Sequence, residues 1–216
     1  MDTDIGNGPK RRRRWLQYSL RSLMIFTMIC AVGSAWLGRK IDQKRREREA
    51  VAAIVKSGGS VFYDYEDRGW LSPPANNAKP PGPDWLRNLL GENFFSDVYW
   101  VVLSTSDGKL ENLKQLTQLK KLQLTVSDGG LENLKGLTQL QFLHFSGAVT
   151  DADLENLKEM HHLKELSLNA TKVTDAGLTK LKGLTHLESL GLGLTKVTDA
   201  GVKDLQTALP NCNIAH

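Results

Sequence analysis

The residues of this chain that could do chemistry are five histidines, two cysteines and a spaced series of aspartates. His161-His162 and His186 fall in equivalent turns, so His162 and His186 would stack one repeat apart. A zinc site gathers about three or four ligands, and this spacing supplies no such set. Asp107, Asp128, Asp151, Asp175 and Asp199 form an acid column. Calcium needs about six to eight oxygens, and no second oxygen-rich column runs beside it, so the acids read as helix-start residues. Cys30 lies in an apolar segment and Cys212 near the end, which predicts no intramolecular disulfide. No glycine-rich phosphate loop occurs, and no nucleophile groups with a base and an orienting acid. The expectation is a binding protein and not an enzyme, with no metal and no cofactor.

The elements that would position a binding surface are repeats. Thr150-Asp151-Ala152-Asp153-Leu154 returns as Thr174-Asp175-Ala176-Gly177-Leu178 and as Thr198-Asp199-Ala200-Gly201-Val202. Looser copies start at Ser106-Asp107 and Ser127-Asp128. Between the starts runs Leu-x-x-Leu-x-Leu, as in Leu163, Leu166, Leu168 and Leu187, Leu190, Leu192. Leu140, Leu143, Phe145 and Leu119, Leu122, Leu124 match them, and Val98, Val101, Leu103 read as a first, capping strand. The steps between equivalent residues are 21, 21, 23 and 24. This is a leucine-rich repeat pattern, one strand and one short helix per unit, and it predicts an α/β right-handed solenoid with a parallel concave sheet and short convex helices. One unit cannot bury its own leucines, so several must stack. Thr171 and Thr195 are expected to bond loop backbone from unit to unit. Pro210 stops the last helix, and Asn211 to Ile214 begin a final capping strand.

Strand residues alternate faces, so the positions between the leucines line the concave side. They form three columns: Trp100, Lys121, Phe142, Glu165, Ser189; Val102, Gln123, His144, Ser167, Gly191; and Ser104, Thr125, Ser146, Asn169, Gly193. The first half is large and aromatic, the second small. The candidate partner-binding residues are Trp100, Lys121, Gln123, Phe142, His144, Glu165 and Ser167. The competing expectation is that the segment before residue 97 folds over Trp100 and Phe142 and shields them.

Ahead of the repeats, Lys10-Arg11-Arg12-Arg13-Arg14 precedes a mostly apolar stretch from Trp15 to Leu37. Its uncharged part, 23–37, makes about 22 Å of helix, short of a hydrocarbon core of about 30 Å. Residues 16–22 supply the missing turns at the cost of including Arg21, which can snorkel near the end. Trp15, Tyr18 and Trp36 suit interfacial aromatic belts. A cleaved signal peptide, with Gly33-Ser34-Ala35 as cleavage site, is the competing reading. The basic run that follows (Arg39, Lys40, Lys44, Arg45, Arg46, Arg48) favours a retained anchor. Basic residues flank both sides, and the denser 10–14 block favours a cytoplasmic N-terminus with the repeats on the non-cytoplasmic side.

The overall charge of +4 conceals a split. Residues 1–49 hold 12 basic and 5 acidic residues, whereas 50–216 hold 16 and 19. The excess flanks the membrane segment, so anionic lipid headgroups near 10–14 and 39–48 are the expected partner, not nucleic acid.

The layout is then a basic tail (1–14), a transmembrane anchor (15–38), a juxtamembrane helix (39–57), a joining and capping region with a proline-rich loop (58–97) and the solenoid with its C-terminal cap (98–216). Within the joining region, Gly58-Gly59 end the helix, 61–66 read as a strand, and Asp84 caps a helix from Trp85 to Leu90. Trp70, Trp85, Phe94 and Phe95 are expected to cover the open end of the solenoid core, with a ligand platform as the other reading.

The chain resembles the bacterial, planctomycete-type leucine-rich repeat proteins with one N-terminal anchor. The resemblance rests on Arg14-Trp15-Leu16-Gln17-Tyr18-Ser19-Leu20-Arg21-Ser22-Leu23, on Lys56-Ser57-Gly58-Gly59 with Tyr63-Asp64-Tyr65, on Trp85-Leu86-Arg87-Asn88-Leu89-Leu90-Gly91 and on the Thr-Asp-Ala-Gly-Leu repeats. The repeats are also similar to internalin-like and F-box-type ones. The resemblance implies protein–protein interaction and names no partner. The expected function is a single-pass membrane protein that binds a protein partner on its concave face. The alternatives are an exported soluble module and a self-associating structural envelope protein.

Overall fold

The computed structural model describes residues 20–66, 78–105, 110–127 and 131–216. The 10–14 block, Trp15, Tyr18, Trp70, Pro73, Pro74, Ser106, Asp107 and Asp128 lie outside the described residues. The chain divides into two units, Met1–Lys40 and Ile41–His216.

Helix α1 spans Leu20–Lys56 without a break. From residue 23 to 37 it carries no charge, and Met24, Phe26, Met28, Ile29, Val32 and Trp36 are each more than half exposed. Thr27 and Ser34 turn their hydroxyls back to the carbonyls of Met24 and Ala31, at 2.9 and 3.0 Å, which hides these polar groups against the helix backbone. By length and composition this helix is a candidate to cross a membrane.

In the second unit α1 ends as the glycine pair predicts. Gly58 takes φ 85°, and the Gly59 N–H reaches back to the Ile54 carbonyl at 3.0 Å. This is the six-to-one bond of a left-handed helix stop. Strand β1 follows at Ser60–Tyr63, shorter than the 61–66 expected. It gives way to a 3-10 turn, Asp64–Glu66, because acidic side chains capture the amides a longer strand would use: Glu66 accepts from the Tyr63 N–H at 2.7 Å and Asp64 from the Tyr65 N–H at 3.0 Å. Helix α2 is Asp84–Leu90 with Pro83 at its N-cap. Asp84 is therefore the first helical residue and not the cap, and its carboxylate pairs with Arg87.

The remaining strands are β2 (Val98–Thr105), β3 (Lys121–Val126), β4 (Phe142–Gly147), β5 (Glu165–Ser167), β6 (Ser189–Gly191) and β7 (Asn213–Ala215). They form one seven-stranded sheet in chain order. All neighbours are parallel except β1, which pairs antiparallel with β2. The expected first strand, β2, is thus not the edge. The leucines at every strand position and at every turn before it are buried in one continuous core. A mostly parallel sheet built from leucine-spaced units is the α/β leucine-rich repeat solenoid.

The segments opposite the sheet are mostly tighter than α-helix: 3-10 turns at Glu111–Gln115, Leu131–Leu134 and Asp153–Leu157. Their buried residues recur every third position, as in Leu131, Leu134, Leu137, Leu140. A 3-10 helix has about three residues per turn and keeps such a series on one face, whereas an α-helix would rotate it away. Helix α3 (Asp175–Leu178) lasts one turn before reverting to 3-10 at Thr179–Leu181. Among the described segments opposite the sheet, only α4 (Asp199–Ala208), where Gly201, Leu205 and Leu209 are four apart, is a sustained α-helix. Gln206 joins α4 to the final strand, donating to the Leu209 and Cys212 carbonyls at 3.0 Å each.

Among the described residues, the open N-terminal end of the core is closed by α1, with Val61 and Tyr63 of β1 packed against it, and not by Trp85, Phe94 or Phe95. Ala50 and Ile54, each 2 % exposed, belong to the repeat core, with Val51 packed against it. Phe94 is buried, but Trp85 stays 68 % and Phe95 40 % exposed. Thr171 and Thr195 also depart from expectation: their hydroxyls donate within their own units, to the Leu168 and Leu192 carbonyls at 2.6 Å each. The side chain that crosses units there is Asn169, whose Oδ1 accepts from the Gly193 N–H at 2.7 Å.

Candidate functional site

The sheet register assembles the expected columns. Trp100, Lys121, Phe142, Glu165 and Ser189 are consecutive partners, and so are Val102, Gln123, His144, Ser167 and Gly191. All seven candidate residues therefore lie on one face, opposite the buried leucines. Trp100, Gln123, Phe142, His144, Glu165 and Ser167 are partly exposed there. In the third column the Thr125 and Ser146 hydroxyls bond each other at 3.0 Å.

Lys121 is the exception, buried at 5 % exposure. Its ammonium lies 4.8 Å from the Tyr99 ring centre, 5.4 Å from Phe142 and 6.0 Å from Trp100. A cation among ring faces holds them by electrostatic attraction to their π-clouds. Lys121 thus organises the aromatic group from within, where its place in the column predicted a surface charge.

Two members of this group were not anticipated. Tyr99 reaches the outer face because β2 carries a bulge: Phe62 pairs with Trp100, but Tyr63 pairs with Val98. The extra residue turns outward beside Trp100. The spacing of Val98 and Val101 gives no signal of it, since every later unit has the same three-residue step without a bulge. Phe62 comes from β1 and lies over Trp100 with ring centres 5.1 Å apart and planes at 37°. Strand β1 therefore adds one residue to the aromatic column, and Trp100 and Phe142 remain partly exposed.

Beyond the aromatic half the face changes character. Burial, then the nearby Glu188, pushes the Glu165 carboxyl above its ordinary value, against the pull of Lys121. The Ser167 hydroxyl is buried with no hydrogen-bond partner among the described residues. Gly191 and Gly193 supply no side chain, and the Asn169 amide lies across them.

A second cluster sits where α1 meets the start of the sheet. Lys44 donates to Glu47 at 2.9 and 3.1 Å, to Asp97 at 2.8 Å and to the Ser96 carbonyl at 2.5 Å. Lys44 is 4 % exposed, which removes it from the basic residues expected to meet lipid headgroups. Beside it lies a cleft of about 10 Å³, the size of one water, lined by Lys44, Glu47, Arg48, Tyr63, Leu90 and Phe94. His161, His162 and His186 are exposed in their turns. Among the described residues no three of His, Cys, Asp or Glu are placed to share a metal.

No protein-family model matches the chain, and no protein of curated function matches it. Solved structures do resemble it. An internalin (inlF) of Listeria monocytogenes is 26 % identical over 50 % of this chain and 31 % of its own, with a TM-score of 0.43. Internalin C2 of the same species is 23 % identical over 53 % of this chain and 50 % of its own, with a TM-score of 0.41. The leucine-rich repeat ectodomain of the receptor kinase SOBIR1 of Arabidopsis thaliana is 15 % identical over 79 % and 91 %, with a TM-score of 0.42. The chain thus spans from a third to half the length of these internalins.

Proposed function

We propose that this protein is a membrane-anchored display module whose concave sheet face, at Trp100, Lys121, Gln123, Phe142, His144, Glu165 and Ser167, binds a protein partner. The observation that carries the reading is the aromatic group Phe62, Tyr99, Trp100 and Phe142, left partly exposed on a rigid sheet and braced by the buried Lys121. Large aromatic side chains held in place bury much area at little entropic cost, which is what binding surfaces use. The neighbouring small residues let a partner's backbone approach. The uncharged, exposed stretch of α1 from residue 23 to 37 supports the anchor, with residues 15–38 spanning the membrane and the repeats on the non-cytoplasmic side. The wider kinship this reading fits is that of bacterial anchored repeat proteins.

Two experiments test it. Cell fractionation with an alkaline wash and protease protection should leave full-length protein in the pellet with its repeats digested from outside; a shortened, soluble product would contradict the anchor. The double change Phe142→Ala and His144→Ala should preserve folding, since both side chains are partly exposed, and should abolish capture of the partner that wild type retains. Equal capture by both forms would place binding elsewhere.

A further inference from the structure

Glu165 is partly buried on the outward side of β5, and among the described residues its carboxylate has no hydrogen bond and no ion pair. Every other described acid that is partly or fully buried is bonded, as Asp97 is to Lys44, Asp151 to Thr174 and Glu155 to Lys180. A carboxylate that loses water without gaining a bond is costly, so an unpaired one on a binding face attracts an incoming cation. The charges around Glu165 leave that attraction standing. Burial and then Glu188 push its carboxyl above the ordinary value, and Lys121 offsets this only in part. Lys121 has its ammonium among the Tyr99, Trp100 and Phe142 rings, and Lys164 is taken by Glu188 at 3.0 Å. The sheet places Phe142 on one side of Glu165 and Ser189 on the other. Ser167, the next outward residue of β5, likewise has no hydrogen-bond partner for its hydroxyl among the described residues.

We propose that the partner docks through an arginine whose guanidinium bonds the Glu165 carboxylate while its stem lies on the Phe142 ring. The proposal rests on the concave-face reading above and names the chemistry of that partner. A flat guanidinium meets a carboxylate with two parallel N–H bonds and stacks on an aromatic face, which a lysine ammonium does not do. Lys121 opposes the approach, but its effect on Glu165 is smaller than that of Glu188. Lys120 precedes β3, two strands from β5, and lies 5.8 Å from the Tyr99 ring centre. His144, beside Ser167 in the sheet, adds opposition only when protonated. Binding gives Glu165 a bonded cation in a partly desolvated place, where an ion pair is stronger than in open water.

The test uses the full chain in lipid nanodiscs and random dodecapeptides displayed on phage. Peptides that bind wild type and fail to bind the Phe142→Ala, His144→Ala variant are kept, and their affinities are measured. They should carry an arginine whose replacement by citrulline, its neutral isostere, weakens binding about tenfold or more. Glu165→Gln should weaken the arginine peptides by a similar factor and leave the citrulline peptides nearly unchanged. Without any peptide, Glu165→Gln should not lower the melting temperature, because it replaces a charge that is bonded to nothing. Peptides without an arginine, or an arginine whose loss weakens binding equally on wild type and on Glu165→Gln, overturn the cation and leave the concave face. A lower melting temperature for Glu165→Gln overturns it too, by showing that the carboxylate is already bonded. A library with no peptide that separates wild type from the double variant overturns both.

Discussion

The carboxylate of Asp151 holds Thr174, the first residue of the next repeat, by two bonds: it accepts the backbone N–H at 2.8 Å and the hydroxyl at 2.6 Å. Asp175 holds Thr198 in the same way, at 2.7 Å twice. Each threonine then caps its own helix, accepting from the Ala176 or Gly201 N–H. In the earlier unit Asp153 provides the acceptor from within, at 2.9 and 2.8 Å from the Thr150 N–H and hydroxyl. Repeats are therefore stitched by carboxylates as well as by leucines. Replacing Asp151 with Ala leaves two donors without their acceptor and should cost about 1–3 kcal/mol in urea unfolding. An unchanged midpoint would show that water replaces the stitch without loss.

The same carboxylates explain a glycine. A Cβ at Gly177 would overlap the Asp151 carboxylate, and one at Gly201 that of Asp175. Gly177→Ala should destabilise the wild-type protein by more than about 1 kcal/mol, yet cost much less when Asp151 is already Ala. A double-mutant cycle with no coupling would disprove the steric link.

Asp175 also predicts a pH dependence. The Thr198 amide and then its hydroxyl hold the Asp175 carboxyl below the ordinary aspartate value of 3.8. A carboxyl depressed on folding adds stability above its unfolded pKa, and that stability is lost as pH falls through the folded one. The stability gap between wild type and Asp175→Asn should be constant above about pH 5 and shrink below it. A gap that stays flat into strong acid would count against the bond.

At the N-terminal lid the sign reverses. Burial alone would push the Lys44 ammonium down, but Asp97 and Glu47 outweigh it and hold its pKa above 10.5. This contribution is present at neutral pH and lost as pH rises through the folded value. Burial pushes the Glu47 carboxyl up, against Lys44. Lys44→Met should cost about 3 kcal/mol by leaving Glu47 buried without its cation. The deficit should be smaller at pH 5 than at pH 8, because Glu47 can then take a proton. Calorimetry at both pH values reads the difference; an equal deficit would mean lost packing alone.

Gly147, Ala170 and Leu194 occupy equivalent turns and all adopt positive φ, at 98°, 55° and 59°. A Cβ at Gly147 would overlap the Val126 carbonyl, whereas Leu194 projects freely at 90 % exposure. Gly147→Ala should therefore lower the melting temperature clearly. Leu194→Gly should raise stability by about 0.5–1 kcal/mol, since a left-handed leucine is strained and touches little. A loss at position 194 would show that its side chain has a packing role.

Much of the scaffold was legible in the residues. Leu-x-x-Leu-x-Leu and its Val and Phe variants set the register of β2 to β6, because period two leaves one way to bury each apolar side chain. The three-residue apolar spacing suits 3-10 turns better than the short convex helices that the repeat pattern predicts. The binding columns followed by alternation. Phe62, Tyr99 and the inward Lys121 did not, because they depend on an antiparallel strand and a bulge that bring distant residues to one face. Thr171 and Thr195 were assigned to the wrong partners for the same kind of reason: an i to i−3 carbonyl is always within a hydroxyl's reach, and only the turn geometry selects it.

Residue spacing is enough to dictate a stack of leucine-spaced units that follows a long apolar segment in the chain. Local patterns suffice there, since each buried position repeats one period along the chain. What closes the stack emerges only from contacts between distant parts of the chain. Ala50 and Ile54 sit on a helix whose basic run suits lipid headgroups, yet Lys44 and Glu47 are buried, and Lys44 pairs with Asp97 some fifty residues away. A buried charge is stable only beside its partner, and no local pattern records a partner that the fold brings from so far along the chain.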